Sequence, residues 1–150
     1  MNAETFAFER SHDITIDAAP DVILDYVTNP NTWPDWIAAS HKLESPDRPL
    51  KTGDTFREFW HTRTGEAVLD WTVTDFTEGR LWIGETGTPF TGTIIVRYDV
   101  EAVDAGTRFI RTMINPARPK PPTQEMIARM DAEADISLAN IKRNVEAKTA

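Results

Sequence analysis

The first part of the chain changes from an alternating to a helical pattern of apolar residues. Alternation from about Thr5 to Asp17 predicts a first strand. Pro20 suits the first turn of a helix that follows. The apolar residues of this helix fall on one face: Val22, Ile23, Tyr26 and Val27. The helix should end before Asn29-Pro30, and the stretch from Pro30 to Trp36 predicts a turn or a second small helix.

From His41 to Asn115, segments that favour strands alternate with turn residues. The segments are roughly 8 to 12 residues long and rich in Val, Ile, Thr, Phe and Trp, a pattern that predicts antiparallel hairpins. The turns between them are predicted at Lys51-Thr52-Gly53-Asp54, Thr64-Gly65, Glu78-Gly79, Gly87-Thr88-Pro89 and Ala105-Gly106. The Pro-rich stretch from Asn115 to Pro122 then predicts a rigid, extended connector.

The last part of the chain has no Gly or Pro and carries a helical apolar stripe. Thr123 suits an N-cap, and the helix should run to about Ala147. The stripe consists of Met126, Met130, Ala134, Leu138, Ile141 and Val145. A helix of about 25 residues is roughly 37 Å long, and its stripe must cover a large surface. The pattern predicts an α+β protein in which this helix closes over a curved sheet and leaves an apolar pocket between them.

The turn positions also predict which side chains face inward. If the residues at Thr64-Gly65 and Ala105-Gly106 form two-residue turns, the opposed pairs include Glu58 with Trp71 and Tyr98 with Met113. The resulting inward face is aromatic and aliphatic, with three polar members: Glu58, Tyr98 and Arg111. A lone charge in a dry core would cost several kcal/mol. Such residues persist only if they are paired, hydrated in a cavity or used by a ligand.

Composition and charge exclude several classes of function. The net charge is −8 and no Lys/Arg run offsets it, so we expect neither nucleic-acid binding nor membrane insertion. The absence of cysteine excludes a thiol nucleophile, disulfides and thiolate metal sites. No apolar run approaches the roughly 20 residues that span a bilayer. The N-terminal segment lacks the apolar region of a signal peptide, so we expect a cytoplasmic protein.

The sequence contains no motif for a metal, a nucleotide cofactor or serine hydrolysis. His12, His41 and His61 have neither HxxxH spacing nor an evident acidic partner, and His61 faces outward in the predicted register. The sequences G-x-G-x-x-G, Walker A and G-x-S-x-G are all missing. We therefore expect no metal site and no cofactor.

The order of predicted elements is a strand, two short helices, six further strands and a long helix. Together with this order, five segments carry a resemblance to a known family: Ile16–Val22, Asn29–Trp36, Gly53–Phe56, Trp71–Phe76 and Gly106–Phe109. The chain resembles the START/Bet v 1-like (SRPBCC) superfamily, and within it the polyketide cyclase/dehydrase and lipid-transport group. The resemblance covers roughly Phe6 to Val145 and implies one helix-grip domain over residues 1–150. That fold is a curved seven-stranded antiparallel sheet with two short helices and a long C-terminal helix enclosing a cavity. It implies a hydrophobic or aromatic ligand, but the superfamily has no universal catalytic motif to transfer.

Glu58, Arg111 and Tyr98 are the candidate catalytic residues. The apolar surroundings of Glu58 should raise its pKa, which suits a general acid or base in enolisation, aldol cyclisation or dehydration. The alternative for Glu58 is a structural ion pair or a place at the pocket rim. Arg111 suits the binding of an enolate, phenolate or carboxylate, or else a salt bridge that includes Glu58. Tyr98 suits hydrogen bonding to a carbonyl, or is an ordinary buried tyrosine.

Predicted ligand contacts fall into three groups of residues. The mouth would be lined by Tyr26, Trp36 and Phe90. The inward sheet face would contribute Phe56, Trp60, Trp71, Trp82, Phe109 and Met113. The last helix would contribute Met126, Met130 and Leu138, whose pliable methionines fit varied ligands. The alternative for the three helix residues is that they only form part of the hydrophobic core. The alternative for Trp36, together with Trp33, is that they fasten the short helices to the sheet.

The sequence is compatible with two functions, and a third has less support. The first is a cyclase or dehydratase acting on a polyketide-like or aromatic small molecule, with proton transfer by Glu58. The second is a non-catalytic carrier or sensor of a hydrophobic ligand, which needs only the pocket. The third is a partner-binding module related to chaperone activators. The expected partner is a hydrophobic or aromatic small molecule, and the expected state is a monomer or homodimer.

Overall fold

The structure, a computed structural model, describes residues 4–37, 42–62, 65–89 and 91–149. The elements are β1 (Phe6–Ile16), α1 (Pro20–Val27), a 3₁₀ helix (Pro30–Asp35), β2 (Lys42–Glu44), β3 (Thr55–Thr62), β4 (Gly65–Thr77), β5 (Leu81–Thr88), β6 (Gly92–Val103), β7 (Gly106–Arg118) and α2 (Gln124–Thr149). The strands form a seven-stranded antiparallel sheet in the order β1-β7-β6-β5-β4-β3-β2. The predicted helix-grip fold is confirmed.

The strand register differs from the prediction in two hairpins, but the inward face does not. The observed pairs are Glu58 with Leu69 and Tyr98 with Arg111, where Trp71 and Met113 were the predicted partners. Each slip amounts to two residues. Because side chains alternate between the two faces of a strand, a slip of two residues leaves every side chain on its predicted face. The error arose because glycine begins the second strand of each hairpin rather than ending the turn.

Asn115 to Pro122 is only partly the connector that the sequence predicted. Strand β7 continues through Arg118, which pairs with Phe6 at the end of β1. The register shifts between Phe6 and Phe8, so that β7 carries an extra residue beside Pro116. A bulge of this kind accommodates a proline, which has no N–H to donate to the ladder. The extended connector is therefore confined to the residues between Arg118 and α2.

Trp33 fastens the 3₁₀ helix to the concave face of the sheet. Its ring centroid lies 5.2 Å from that of Phe56, 6.1 Å from that of Trp71 and 6.4 Å from that of Trp82. Its Nε1 donates a hydrogen bond of 2.9 Å to the carbonyl oxygen of Val27, the last residue of α1. The alternative interpretation, in which the tryptophans fasten the short helices to the sheet, describes this packing.

Helix α2 begins and ends close to its predicted limits. The hydroxyl of Thr123 accepts a hydrogen bond of 3.1 Å from the backbone N–H of Met126, as expected of an N-cap. The C-terminal part of the stripe is buried, whereas Met126 and Met130 are half-buried. Helix α1 likewise follows its prediction, except that Leu24 is buried and Val22 is only half-buried.

Asp131 joins α2 to β1 through two basic side chains. Its carboxylate accepts hydrogen bonds of 2.9 and 2.5 Å from Arg10 and a contact of 2.7 Å from Nε2 of His12. His12 therefore has an acidic partner that the sequence did not reveal, because the two residues are 119 positions apart. The hydrogen bonds from Arg10, and then from His12, hold the pKa of Asp131 well below its usual range.

Replacing Asp131 by Asn should lower Tm by roughly 2–4 °C at neutral pH. A carboxylate with a depressed folded-state pKa stabilises the fold above its unfolded pKa and loses that effect as the pH falls. The difference in Tm from wild type should therefore shrink below about pH 4. Thermal melting between neutral and acid pH measures it, with Asp135→Asn on the exposed side of α2 as control. A difference in Tm that does not change with pH would contradict this account.

Gly106 lies where β7 passes the end of β1. Its φ is +133°, and a Cβ added there would overlap the carbonyl oxygen of Ile16. The next residue, Thr107, donates a hydrogen bond of 2.6 Å from its hydroxyl to the carbonyl oxygen of Ala18. The end of the last hairpin is thereby held against the segment that leads from β1 into α1.

Gly106→Ala should destabilise the protein more than the matched change Gly65→Ala. Both glycines have φ of +133°, but a Cβ on Gly65 meets no atom of the described residues within 4 Å. The control should lose about 1–2 kcal/mol of unfolding free energy from backbone strain alone. The overlap with Ile16 should add about 1–3 kcal/mol more in Gly106→Ala. Urea denaturation measures both losses, and equal losses would show that the close approach to β1 is unimportant.

Candidate functional site

A cavity of about 660 Å³ lies between the sheet and the N-terminal half of α2. This volume is typical of small-molecule sites. Its apolar wall consists of Trp33, Ile37, Trp60, Leu69, Trp71, Ile94, Val96, Met113, Pro119, Met126, Met130 and Ala134. Its polar and charged wall consists of Glu58, Thr91, Arg111, Asn115, Arg118, Lys120, Arg129, Glu133 and Ser137.

The cavity brings together seven of the predicted site residues. They are Glu58, Trp60, Trp71, Arg111, Met113, Met126 and Met130. Seven others do not line it: Tyr26, Trp36, Phe56, Trp82, Tyr98, Phe109 and Leu138. These seven belong to the packed core, to which α1 and the 3₁₀ helix also contribute buried side chains. Phe90 lies outside the described residues.

Glu58 is a buried carboxylate in the cavity wall. It is 2% exposed and lies on β3, opposite Leu69 of β4. Its Oε1 accepts a hydrogen bond of 3.1 Å from Nε1 of Trp71. The ring of Trp71 is held in turn by stacking on Phe56, with centroids 5.7 Å apart. The position of the carboxylate is therefore set by a rigid aromatic neighbour, and the predicted rise of its pKa stays a prediction.

Arg111 brings a positive charge to the same cavity. Its guanidinium lies over the ring of Trp36, 5.9 Å from the centroid, an arrangement that stabilises a cation. Its Nε is buried and makes no hydrogen bond to any residue that the structure describes. Within the described part of the chain, no carboxylate oxygen lies within 4.0 Å of its guanidinium. The suggested salt bridge between Glu58 and Arg111 is not formed.

Tyr98 lies behind Arg111 rather than in the cavity wall. It is fully buried, opposite Arg111 on the neighbouring strand, and its ring stacks on Trp82 at 5.0 Å. Burial raises the pKa of its hydroxyl and the charge of Glu58 adds to the rise, whereas Arg111 opposes it. The hydroxyl is therefore a neutral phenol, with Arg111 as its charged neighbour.

The mouth of the cavity contains charged residues that the sequence reasoning did not select. Arg118 is the last residue of β7, Lys120 comes from the connector, and Arg129 and Glu133 come from α2. A signal for the helix residues was present: Arg129, Glu133 and Ser137 form a row at i, i+4 and i+8 beside the apolar stripe. The connector gave no such signal, because its position depends on where β7 ends.

Two kinds of site are missing from the described residues. No group of three or more His, Cys, Asp or Glu side chains there could hold a metal ion. No helix there is long and apolar enough to cross a membrane.

Comparison with known proteins gives one family and several similar structures. The family model described as polyketide cyclase / dehydrase and lipid transport matches residues 7–146. The Zhui aromatase/cyclase from Streptomyces sp. R1128 is 14% identical, covers 97% of both chains and has a TM-score of 0.73. A protein of unknown function from Staphylococcus aureus is 15% identical, covers 99% of both chains and has a TM-score of 0.73.

Ara h 8.0201 is a further similar structure. It is 12% identical, with 95% of this chain and 99% of that chain covered and a TM-score of 0.68. Identities this low show a shared fold and nothing finer. No match was found among the curated proteins.

Proposed function

Because the chain belongs to the polyketide cyclase/dehydrase and lipid transport family, we propose that its cavity binds an apolar or aromatic small molecule and catalyses its cyclisation or dehydration. The observation that carries the proposal is that one cavity contains both a carboxylate and a guanidinium. Glu58 supplies a buried carboxylate, and Arg111 supplies a guanidinium that no described carboxylate neutralises. An apolar binding wall surrounds both groups.

The wall suits a flat, apolar ligand body. Trp60 and Trp71 offer aromatic surface from the sheet, and aromatic rings favour stacked or edge-on contact with other rings. Met126 and Met130 offer flexible side chains from α2 that adapt to different ligand shapes. Binding is favoured by roughly 25 cal/mol for each Å² of apolar surface removed from water.

Glu58 and Arg111 would divide the chemistry of a cyclisation. The carboxylate of Glu58 removes a proton from a carbon next to a ligand carbonyl and becomes the carboxylic acid. The guanidinium of Arg111 stabilises the negative oxygen of the resulting enolate. The enolate carbon attacks a second carbonyl of the same ligand and closes the ring. Glu58 then returns its proton to the new alkoxide, and loss of water completes the dehydration.

Glu58→Gln should abolish turnover while leaving ligand binding unchanged. The amide oxygen of Gln still accepts the hydrogen bond from Trp71, but it neither removes nor returns a proton. A suitable model substrate is a phenyl-substituted diketone with three methylene groups between its carbonyls. Its cyclisation gives a conjugated ketone that absorbs in the ultraviolet. The variant should lose roughly 10²-fold or more in kcat.

The matched control is Glu85→Gln, which removes an exposed carboxylate from β5. It should leave kcat unchanged, since Glu85 is not part of the cavity wall. A kcat of Glu58→Gln equal to that of the wild type would refute the catalytic role of Glu58. Turnover that is missing from the wild type, with binding retained, would favour the carrier.

The carrier function has its own support in the structure. Most of the wall is apolar, and the hydrogen bond from Trp71 to Glu58 also fits a purely structural carboxylate. A carrier needs only the cavity, so its function would not require proton transfer by Glu58.

Met130→Trp should reduce binding in either function by filling the cavity. Met130 lines the cavity and is half-buried, so the larger indole would occupy ligand space. The Kd of the fluorescent probe pyrenebutanol should rise by roughly tenfold or more. Ile136→Trp serves as control, because Ile136 is 54% exposed and outside the wall. Unchanged fluorescence titrations of Met130→Trp would place the ligand elsewhere.

A further inference from the structure

We propose that the ligand is an amphipathic acid, with an apolar body inside the cavity and a terminal carboxylate bound at the mouth by Arg118, assisted by Lys120. This inference rests on the proposed function only in that the cavity binds an apolar small molecule. It adds the charge of the ligand and the place where that charge is bound.

The charge of the cavity wall is opposite to that of the whole protein. The chain has 24 acidic and 16 basic residues and a net charge of −8. Among the described residues, the wall has four basic ones, Arg111, Arg118, Lys120 and Arg129, and two acidic ones, Glu58 and Glu133. A negative protein repels anions in general. A locally positive wall therefore attracts an anionic ligand to the cavity, although the protein as a whole repels anions.

Arg118 is held in place without being neutralised. Its Nε donates to the carbonyl oxygen of Lys120 at 3.1 Å, Nη1 to Oδ1 of Asn115 at 3.4 Å, and Nη2 to the sulfur of Met126 at 3.5 Å. All three acceptors are uncharged. No carboxylate among the described residues pairs with it, whereas Arg10, Arg48, Arg57, Arg97 and Arg108 are all paired with acidic side chains.

The guanidinium of Arg118 keeps donors for a ligand. Arginine has five N–H donors in a planar fork that matches the geometry of a carboxylate. Three of them are used by the uncharged acceptors, so two have no acceptor within the described residues. The side chain is half-buried, and its contacts fix its direction. A pre-oriented, partly desolvated cation binds an anion more strongly than a mobile one on the surface.

The other basic residues of the wall do not replace Arg118 in this role. Arg129 is exposed and lies 3.8 Å from Glu125, one turn away on α2. Lys120 is exposed and lies in the connector, two residues after Arg118, so it adds positive potential at the mouth rather than a fixed fork. Arg111 lies on the sheet with its guanidinium over Trp36, in position to stabilise an oxygen of the reacting part of the ligand.

The test compares two fluorescent probes of nearly equal shape, pyrenebutyrate and pyrenebutanol, by titration into the wild-type protein. The acid should bind roughly tenfold more tightly than the alcohol, because only its carboxylate gains charge-assisted hydrogen bonds. Arg118→Gln should remove this preference while changing the Kd of the alcohol by less than about twofold. Arg118→Lys keeps the charge without the fork and should retain part of the preference.

The matched control is Arg80→Gln, which makes the same change in net charge at an exposed position outside the cavity wall. It should keep the full preference for the acid. Thermal melting of each variant checks that the fold is intact. Equal affinity of the wild type for both probes would overturn this inference and leave the proposed function standing. A preference lost in Arg111→Gln but kept in Arg118→Gln would also overturn it. Binding of neither probe would refute the proposed function, and this inference with it.

Discussion

The packing of Trp33 onto the sheet is the contact on which the rest of the molecule depends. Its ring meets Phe56, Trp71 and Trp82 nearly edge-on, with interplanar angles of 85–88°. It also forms part of the cavity wall. Trp33 is therefore the boundary between a filled half of the concave face, covered by the short helices, and an empty half under the start of α2.

This boundary decides which polar residues meet a ligand. Glu58, Tyr98 and Arg111 all lie on the inward face of the sheet, yet only Glu58 and Arg111 reach the empty half. Tyr98 is enclosed by aromatic rings in the filled half. Of these three residues, Tyr98 therefore lies behind Arg111 in the packed core, and Glu58 and Arg111 are the two that the sheet contributes to the cavity wall.

The sequence correctly predicted the features that follow from the side-chain periodicity of a strand or a helix. Alternation identified the inward face even though both hairpin registers were shifted by two residues, because a shift of two preserves the face. The apolar stripe likewise located α2. The division of the inward face was not predictable in this way, since it depends on how the 3₁₀ helix packs. Nor was the contact between His12 and Asp131, which joins residues 119 positions apart.

The position of Glu58 also bears on the orientation of an acidic ligand. An ionised carboxylate on the sheet repels a ligand carboxylate, and the repulsion is stronger where water is excluded. Arg118 attracts the same group at the end of the cavity formed by the connector. Both effects favour one orientation, with the acid at the mouth and uncharged carbonyl groups beside Glu58 and Arg111. Under the proposed function, the charges of the wall would therefore select the ligand and also direct its carbonyl groups towards Glu58 and Arg111.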